Sequence, residues 1–293
     1  MGKTKTANRV GMEYVGPFTF NGIRFALGCL SLLPLLVWQR KANYDTGDGS
    51  GKTRPVKVLL GGGLAGLVIF AGASLQQVGL VYTTAGKAGF ITGLYVVIVP
   101  ILGIFWKQQP ELGTWIGAAL AAVGLYLLSV TEQFTISFGD FLELAGAFFW
   151  AAHLLIIGWL SPKTGATRLA FVQFAVCSVL SLIVAFAVET VTVQGLYQAA
   201  IPILYGGMLS VGIAYTLQVV AQKHAHPAHA AIILSLESVF AALGGWMMLG
   251  ETLSVRGIAG CALMLFGMLV SQLQDYIINP AIQRYRAVPE QSQ

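Results

Sequence analysis

The chain has 293 residues, of which 56% are hydrophobic and 10% charged, with a formal net charge of +5 at pH 7. Soluble domains carry roughly a quarter charged residues, so a water-facing fold around a single core is excluded: too little polar surface exists to cover the apolar remainder. The basic residues lie scattered in short segments between apolar runs, which excludes the patched face of a nucleic-acid binder. Cys29, Cys177 and Cys261 fall in three different apolar runs without CxxC or other ligand spacing, so they read as small core residues. Neither disulfide, metal nor cofactor is expected, and nucleic acid is not expected as a partner; the lipid bilayer is.

Taken in chain order, apolar runs between polar breaks predict spans near 17–38, 58–81, 88–106, 112–130, 140–160, 167–188, 199–221, 227–249 and 253–276. Each approaches the roughly 20 residues that carry a helix across about 30 Å of hydrocarbon, and all are too long for barrel strands of about 10. The fold class that follows is an all-α integral membrane protein with nine helices. The stretch from Gln39 to Lys57, rich in Asp, Gly, Ser and Thr, reads as a solvated linker.

If the loops alternate, Arg40, Lys41, Lys52, Arg54, Lys57, Lys107, Lys163, Arg168, Lys223, Arg284 and Arg286 share one side, against Arg9, Lys87 and Arg256 on the other. That asymmetry predicts a cytoplasmic linker and a cytoplasmic tail over 277–293. Lys3 and Lys5 fall on the wrong side in this scheme.

The chain also repeats itself. One constant shift aligns Leu75 and Gln76 with Leu217 and Gln218, Ala88 with Ala230, Leu94 with Leu236, and Tyr95 with Glu237. With one extra residue, Gly117 and Gly124 fall on Gly260 and Gly267; a slightly larger shift sets Phe25 and Ala26 on Phe174 and Ala175. Units with an odd number of helices enter the membrane in opposite senses, so this is an inverted repeat, with units over 1–131 and 132–276. The helix over 140–160 has no counterpart in the first unit except a stub at Arg9 to Met12. The expectation is therefore two units of five helices, ten in all, with the first helix missing from the chain as written.

The stretches LQQVGLVYTTAGKAGFITGLYVVIVPILG (Leu75 to Gly103) and AAIILSLESVFAALGGWMMLGETLSVRGIAG (Ala230 to Gly260) resemble the EamA type of the drug/metabolite transporter superfamily. The resemblance runs over roughly residues 9 to 275. It implies a carrier of small organic metabolites or drugs, multi-pass in the plasma membrane (the inner membrane of a bacterium), working by alternating access and expected to export, with the substrate path between the halves. Two departures stand out: the absent first helix, and KQQPE at Lys107 to Glu111 where the second half has LGE at Leu249 to Glu251.

Several motifs carry less than they suggest. TGDGSGKT at Thr46 to Thr53 is close to a phosphate-binding loop, but Thr46 stands where Gly is required and no strand precedes it. His224, His226 and His229 form HAHPAH at a join between spans, where Pro227 is expected to open the next helix; a polar turn accounts for them better than a metal site. Pairs such as Gly62 and Gly66, Gly89 and Gly93, and Gly113 and Gly117 are packing spacings.

Ionisable groups inside spans are the stronger pointer, because a mid-bilayer charge costs about 2.5 to 3.5 kcal/mol even on a lenient scale. Arg24, Glu143, His153 and Glu237 qualify. Glu143, near its helix start, reads as favouring the helix dipole. Arg24 reads equally as a carboxylate binder or as half of a structural pair. Glu237 has Tyr95 as its repeat partner and Gln76 has Gln218, so polar groups recur at matched depths; a structural hydrogen bond remains the alternative for Glu237. Trp150 and His153 stand one turn apart on one helix face. The expected substrate path is thus Arg24, Gln76, Gln77, Tyr95, Trp150, His153, Tyr215, Gln218 and Glu237, with proton coupling through Glu237 as an extension. A membrane-embedded enzyme would need clustered acids, and the aspartates (Asp45, Asp48, Asp140, Asp275) do not cluster within spans, so no catalytic residues are expected. A non-transporting scaffold is the remaining alternative.

Overall fold

A computed structural model of the chain describes residues 14–41, 55–129, 137–249 and 254–278. The stub at Arg9 to Met12, the Thr46 to Thr53 loop, Glu251 of the LGE motif and most of the tail lie outside the described residues. Within them all regular elements are helical: α1 Pro17–Ser31, α2 Leu33–Lys41, α3 Pro55–Tyr82, α4 Ala85–Gly93, α5 Tyr95–Phe105, α6 Leu112–Ser129, α7 Phe138–Leu160 and α8 Ala166–Val188. There follow α9 Val193–Gln198, α10 Ala200–Leu204, a π-helical stretch Tyr205–Tyr215, α11 Thr216–Ala221, α12 Pro227–Ser235, α13 Glu237–Leu249 and α14 Val255–Ile278.

Eight segments of the described residues are long and apolar enough to cross a bilayer: Pro17–Gln39, Val56–Tyr82, Lys87–Phe105, Leu112–Ser129, Phe138–Lys163, Ala166–Val188, Ala200–Ala221 and Val255–Leu273. The ninth expected run is present as α12 and α13, whose apolar part Pro227–Phe240 is shorter. The molecule is a multi-pass, all-α membrane protein.

Helix ends follow local chemistry. Ser137 and Asp140 close a capping box at the start of α7, and Thr84 accepts from the Lys87 amide at the start of α4. Pro17 and Pro227 occupy first helical positions, where their missing N–H has no partner to lose. In the departing KQQPE turn, Lys107 takes a left-handed φ of 59°. The Lys107 amide donates to the Ile104 carbonyl at 3.0 Å and the Gln108 amide to that of Gly103 at 2.9 Å, the paired bonds of a Schellman stop.

The inverted repeat is visible in the packing. Phe25 and Phe174, repeat counterparts, face each other across the α1–α8 contact with ring centroids 6.0 Å apart. In the α6–α14 contact, a Cβ on Gly117 would stand 2.6 Å from the Gly267 carbonyl oxygen, and one on Gly124 would stand 2.5 Å from that of Gly260. Each glycine thus meets the counterpart of the other, the pattern of an antiparallel pair about a two-fold axis. The helices approach so closely because nothing larger than hydrogen separates their backbones.

The equivalence stops at α7. It lies against α3 at Gly72, Gly79 and Gly139, all buried. Ala214, Leu217 and Ala221, which match Gly72, Leu75 and Gly79 in the second half, are exposed, because α7 has no counterpart among the described residues.

Candidate functional site

Two helices break at corresponding points. At Leu94 and at Leu236 the α-helical ladder is interrupted, and each amide turns back to the carbonyl three residues earlier, Ile91 at 3.2 Å and Ile233 at 3.1 Å. Both residues keep nearly the same backbone (φ −60°, ψ −11° and φ −65°, ψ −12°). The first residues of the new helices are Tyr95 and Glu237. Interrupted spans at matched positions of two inverted halves expose backbone groups and redirect side chains, which is how many carriers build a binding site in mid-membrane.

Four expected path residues come together around these breaks. Arg24, on α1, is 2% exposed and sits against aromatic faces, its guanidinium carbon 5.2 Å from the Phe25 centroid and 5.6 Å from that of Phe20. Its charge reaches Tyr215, at the end of the π-helical stretch, and Glu237. Tyr95 lies within electrostatic reach of both Glu237 and Tyr215. Glu237 itself is exposed. Its carboxylate nonetheless feels the charge of Arg24, which is buried in the interior.

Trp150 and His153 join the group through Tyr215. The Trp150 ring meets Tyr215 edge-on at 5.9 Å and His153 at 6.2 Å, and Tyr215 lies 6.3 Å from Phe25. His153 Nε2 pairs with Gln173 Oε1 at 2.9 Å, while Trp150 Nε1 is buried with no hydrogen-bond partner among the described residues. A buried donor without an acceptor is costly and is satisfied when a ligand or water supplies one. The wide π-helical turn that carries Tyr215 packs on α1 through glycines: a Cβ on Gly207 would stand 3.0 Å from the Arg24 carbonyl oxygen. Such stretches are rare and concentrate at functional positions.

The glutamines divide. Gln77 is fully buried. Gln76 donates to Thr92 Oγ1 at 3.5 Å, whereas its counterpart Gln218 donates to Gln222 Oε1 at 3.4 Å, and Gln222 in turn to the Leu154 carbonyl at 3.0 Å. Matched sequence positions have acquired different partners because the repeat sets Leu234 where the first half has Thr92, and Gln222 where it has Leu80. His229 Nε2 lies 3.1 Å from Thr114 Oγ1, so one imidazole of HAHPAH serves a contact between α12 and α6.

The structure adds groups that spacing did not single out. Thr92 Oγ1 donates to Glu143 Oε2 at 2.7 Å, so Glu143 reaches across to α4 and leaves the capping of α7 to Asp140, which also accepts from Thr83 Oγ1. Gln173 as the partner of His153 was likewise hidden, since nothing in the sequence ties two helices at that point.

The comparisons with known proteins agree with this architecture. Residues 2–130 and 137–272 each match the EamA-like transporter family. An uncharacterized transporter of Archaeoglobus fulgidus is 34% identical over 275 residues, 93% of this chain and 82% of the relative. The uncharacterized transporter YoaV of Bacillus subtilis is 21% identical over 276 residues, 92% of each chain. A protein crystal structure with 17% sequence identity superposes with a TM-score of 0.74, over 93% of this chain and 92% of the other, a likeness of fold. The two breaks, the inverted packing and these matches converge: the chain is a membrane transporter that belongs to the EamA-like transporter family.

Proposed function

We propose that this transporter carries a small organic solute across the plasma membrane by alternating access, in the export direction, with its C-terminal tail in the cytoplasm. The solute binds between the two inverted halves at the level of Leu94 and Leu236. Arg24 receives an anionic group, Tyr95 and Glu237 offer polar contacts from the two breaks, and Trp150 and Tyr215 cover an apolar or flat part of the molecule. Gln76, Gln77, His153 and Gln218 complete the path. The observation that carries this reading is the pair of matched helix breaks, each followed at once by a polar side chain within electrostatic reach of the other.

Rocking of one half about the shared contacts at Phe25–Phe174 and Gly124–Gly260 exposes the breaks to each side in turn. The test is uptake into proteoliposomes of a panel of labelled amino acids, nucleosides, sugars and cationic dyes. The expected result is saturable accumulation of members that carry an anionic group and not of the cationic dyes, abolished in Arg24→Ala. Accumulation unchanged by Arg24→Ala, Tyr95→Ala and Glu237→Ala together would remove the site from this location.

A further inference from the structure

We propose that Glu143 is a proton-binding site of the carrier, separate from the solute site, and that Thr92 transmits its occupancy to the helix break at Leu94. The purpose of such a site rests on the transport reading; its chemistry does not.

Glu143 is 0% exposed, about a turn and a half into α7. One oxygen, Oε2, accepts from Thr92 Oγ1 at 2.7 Å, and the other, Oε1, is buried with no hydrogen-bond partner among the described residues. That free oxygen faces the backbone of α3 at Gly79, where a Cβ would lie 2.8 Å from it. Only glycine lets the carboxyl reach this place. An anionic oxygen left buried without a donor is far more costly than a neutral one, and a proton is the ligand that converts one into the other.

The surroundings select a proton over a metal cation. Hard cations require about six oxygen ligands. Among the described residues the one hydroxyl in hydrogen-bond contact with the carboxyl is that of Thr92, and no group of three His, Cys, Asp or Glu that could hold an ion occurs among them.

The charged neighbours lie toward the start of α7. On α7 the facing charge is Asp140, tied to Thr83 and Ser137, and Lys87 at the start of α4 reaches Asp140. From α3 the side chains are the neutral Gln76 and Thr83, with the titratable Tyr82 against Phe138 at the helix end, and from α4 the neutral Thr92. Against α5 and α12, α7 turns Ala147, Ala151, Leu154 and Leu155, with Tyr95 the titratable side chain there. Asp140, Glu143, Thr92 and Gln76 therefore form a polar file from a helix end towards the break.

Proton binding adds H⁺ from water to Oε1 and neutralises the carboxyl; release returns it to water. Thr92 stands two residues before Leu94, so any change in its bond to Glu143 acts on the last turn of α4. The α3–α7 contact, closed here over Gly79 and Gly139, must loosen for water to reach the carboxyl.

The test uses the purified protein in liposomes without any solute, with pH-difference infrared spectroscopy of the protonated carboxyl stretch. The expected result is a titrating band in the parent and in Glu237→Gln that is absent from Glu143→Gln and displaced in Thr92→Val. If Glu143→Gln does not fold, Glu143→Asp, checked by its melting curve, must displace the band. A band that survives Glu143→Gln, no titrating band in the parent, an unmoved band in Glu143→Asp, or the same spectral change produced by sodium at constant pH overturns the proposal. Titration of Glu143 in a protein that moves no solute would retire the transport mechanism and leave this site; solute movement without titration would do the reverse.

Discussion

Gly124 and Gly260 meet backbone to backbone: a Cβ on either would stand 2.5 Å from the carbonyl oxygen of the other. The repeat pairs Gly124 with Gly267 and Gly117 with Gly260, yet contact joins Gly124 to Gly260 and Gly117 to Gly267. An exchange of partners of this kind follows when two copies of one helix cross antiparallel about a two-fold axis. Gly124→Ala and Gly260→Ala should therefore destabilise by similar amounts, about 1–3 kcal/mol each, because each forces apart the same contact. Thermal unfolding in detergent measures both. Gly63→Ala, where no atom lies within 4 Å of the added Cβ, should leave the transition unlowered.

Glu189 closes the start of α1. Its carboxylate accepts from the Phe18 and Thr19 amides, each at 2.8 Å, and from the Thr19 hydroxyl at 2.6 Å. Glu189→Ala should lower stability by about 0.5–2 kcal/mol, the usual worth of a helix cap. Glu189→Gln, which keeps an acceptor, should lose less. A melting series that ranks Gln below Ala would show that the clamp does not hold α1.

Arg24 and Glu237 feel each other's charge, so their substitutions should not add. In a transport assay Arg24→Ala and Glu237→Ala should each reduce the rate, while the double variant should fall short of the product by a coupling of about 0.5–3 kcal/mol. Strict additivity would separate the two residues into independent roles.

Trp150 carries an indole nitrogen that has no hydrogen-bond partner among the described residues, beside Tyr215. Trp150→Phe keeps the ring and removes the donor. The expected outcome is weaker half-saturation for the transported solute with folding intact, read from the uptake curve and the melting temperature together. Unchanged half-saturation would mean that water, and not solute, satisfies this donor.

Cysteine labelling resolves orientation. A Cys at position 49 and another at position 286 should resist a membrane-impermeant reagent in intact cells and react once the membrane is opened, since basic segments remain in the cytoplasm. Labelling of either in intact cells would reverse the topology.

What this sequence determined by itself was whatever depends on local composition and on self-comparison. Apolar runs of bilayer length define helices without reference to any neighbour, which is why eight expected spans recur almost residue for residue. The repeat is a property of the string of residues, so the inverted architecture and the pairing of Tyr95 with Glu237 could be read from it. Pro227 likewise marked its helix start alone. Tertiary structure decided everything that needs two helices at once. The breaks at Leu94 and Leu236 carry no Pro or Gly at the broken residue, and they register only as a change in hydrogen bonding. Glu143 looked like a residue serving its own helix dipole until α4 brought Thr92 to it, and Gln76 found its partner Thr92 only where α3 and α4 are laid side by side. A side chain's depth follows from its own helix; its partner is set by which helix the bundle lays against it.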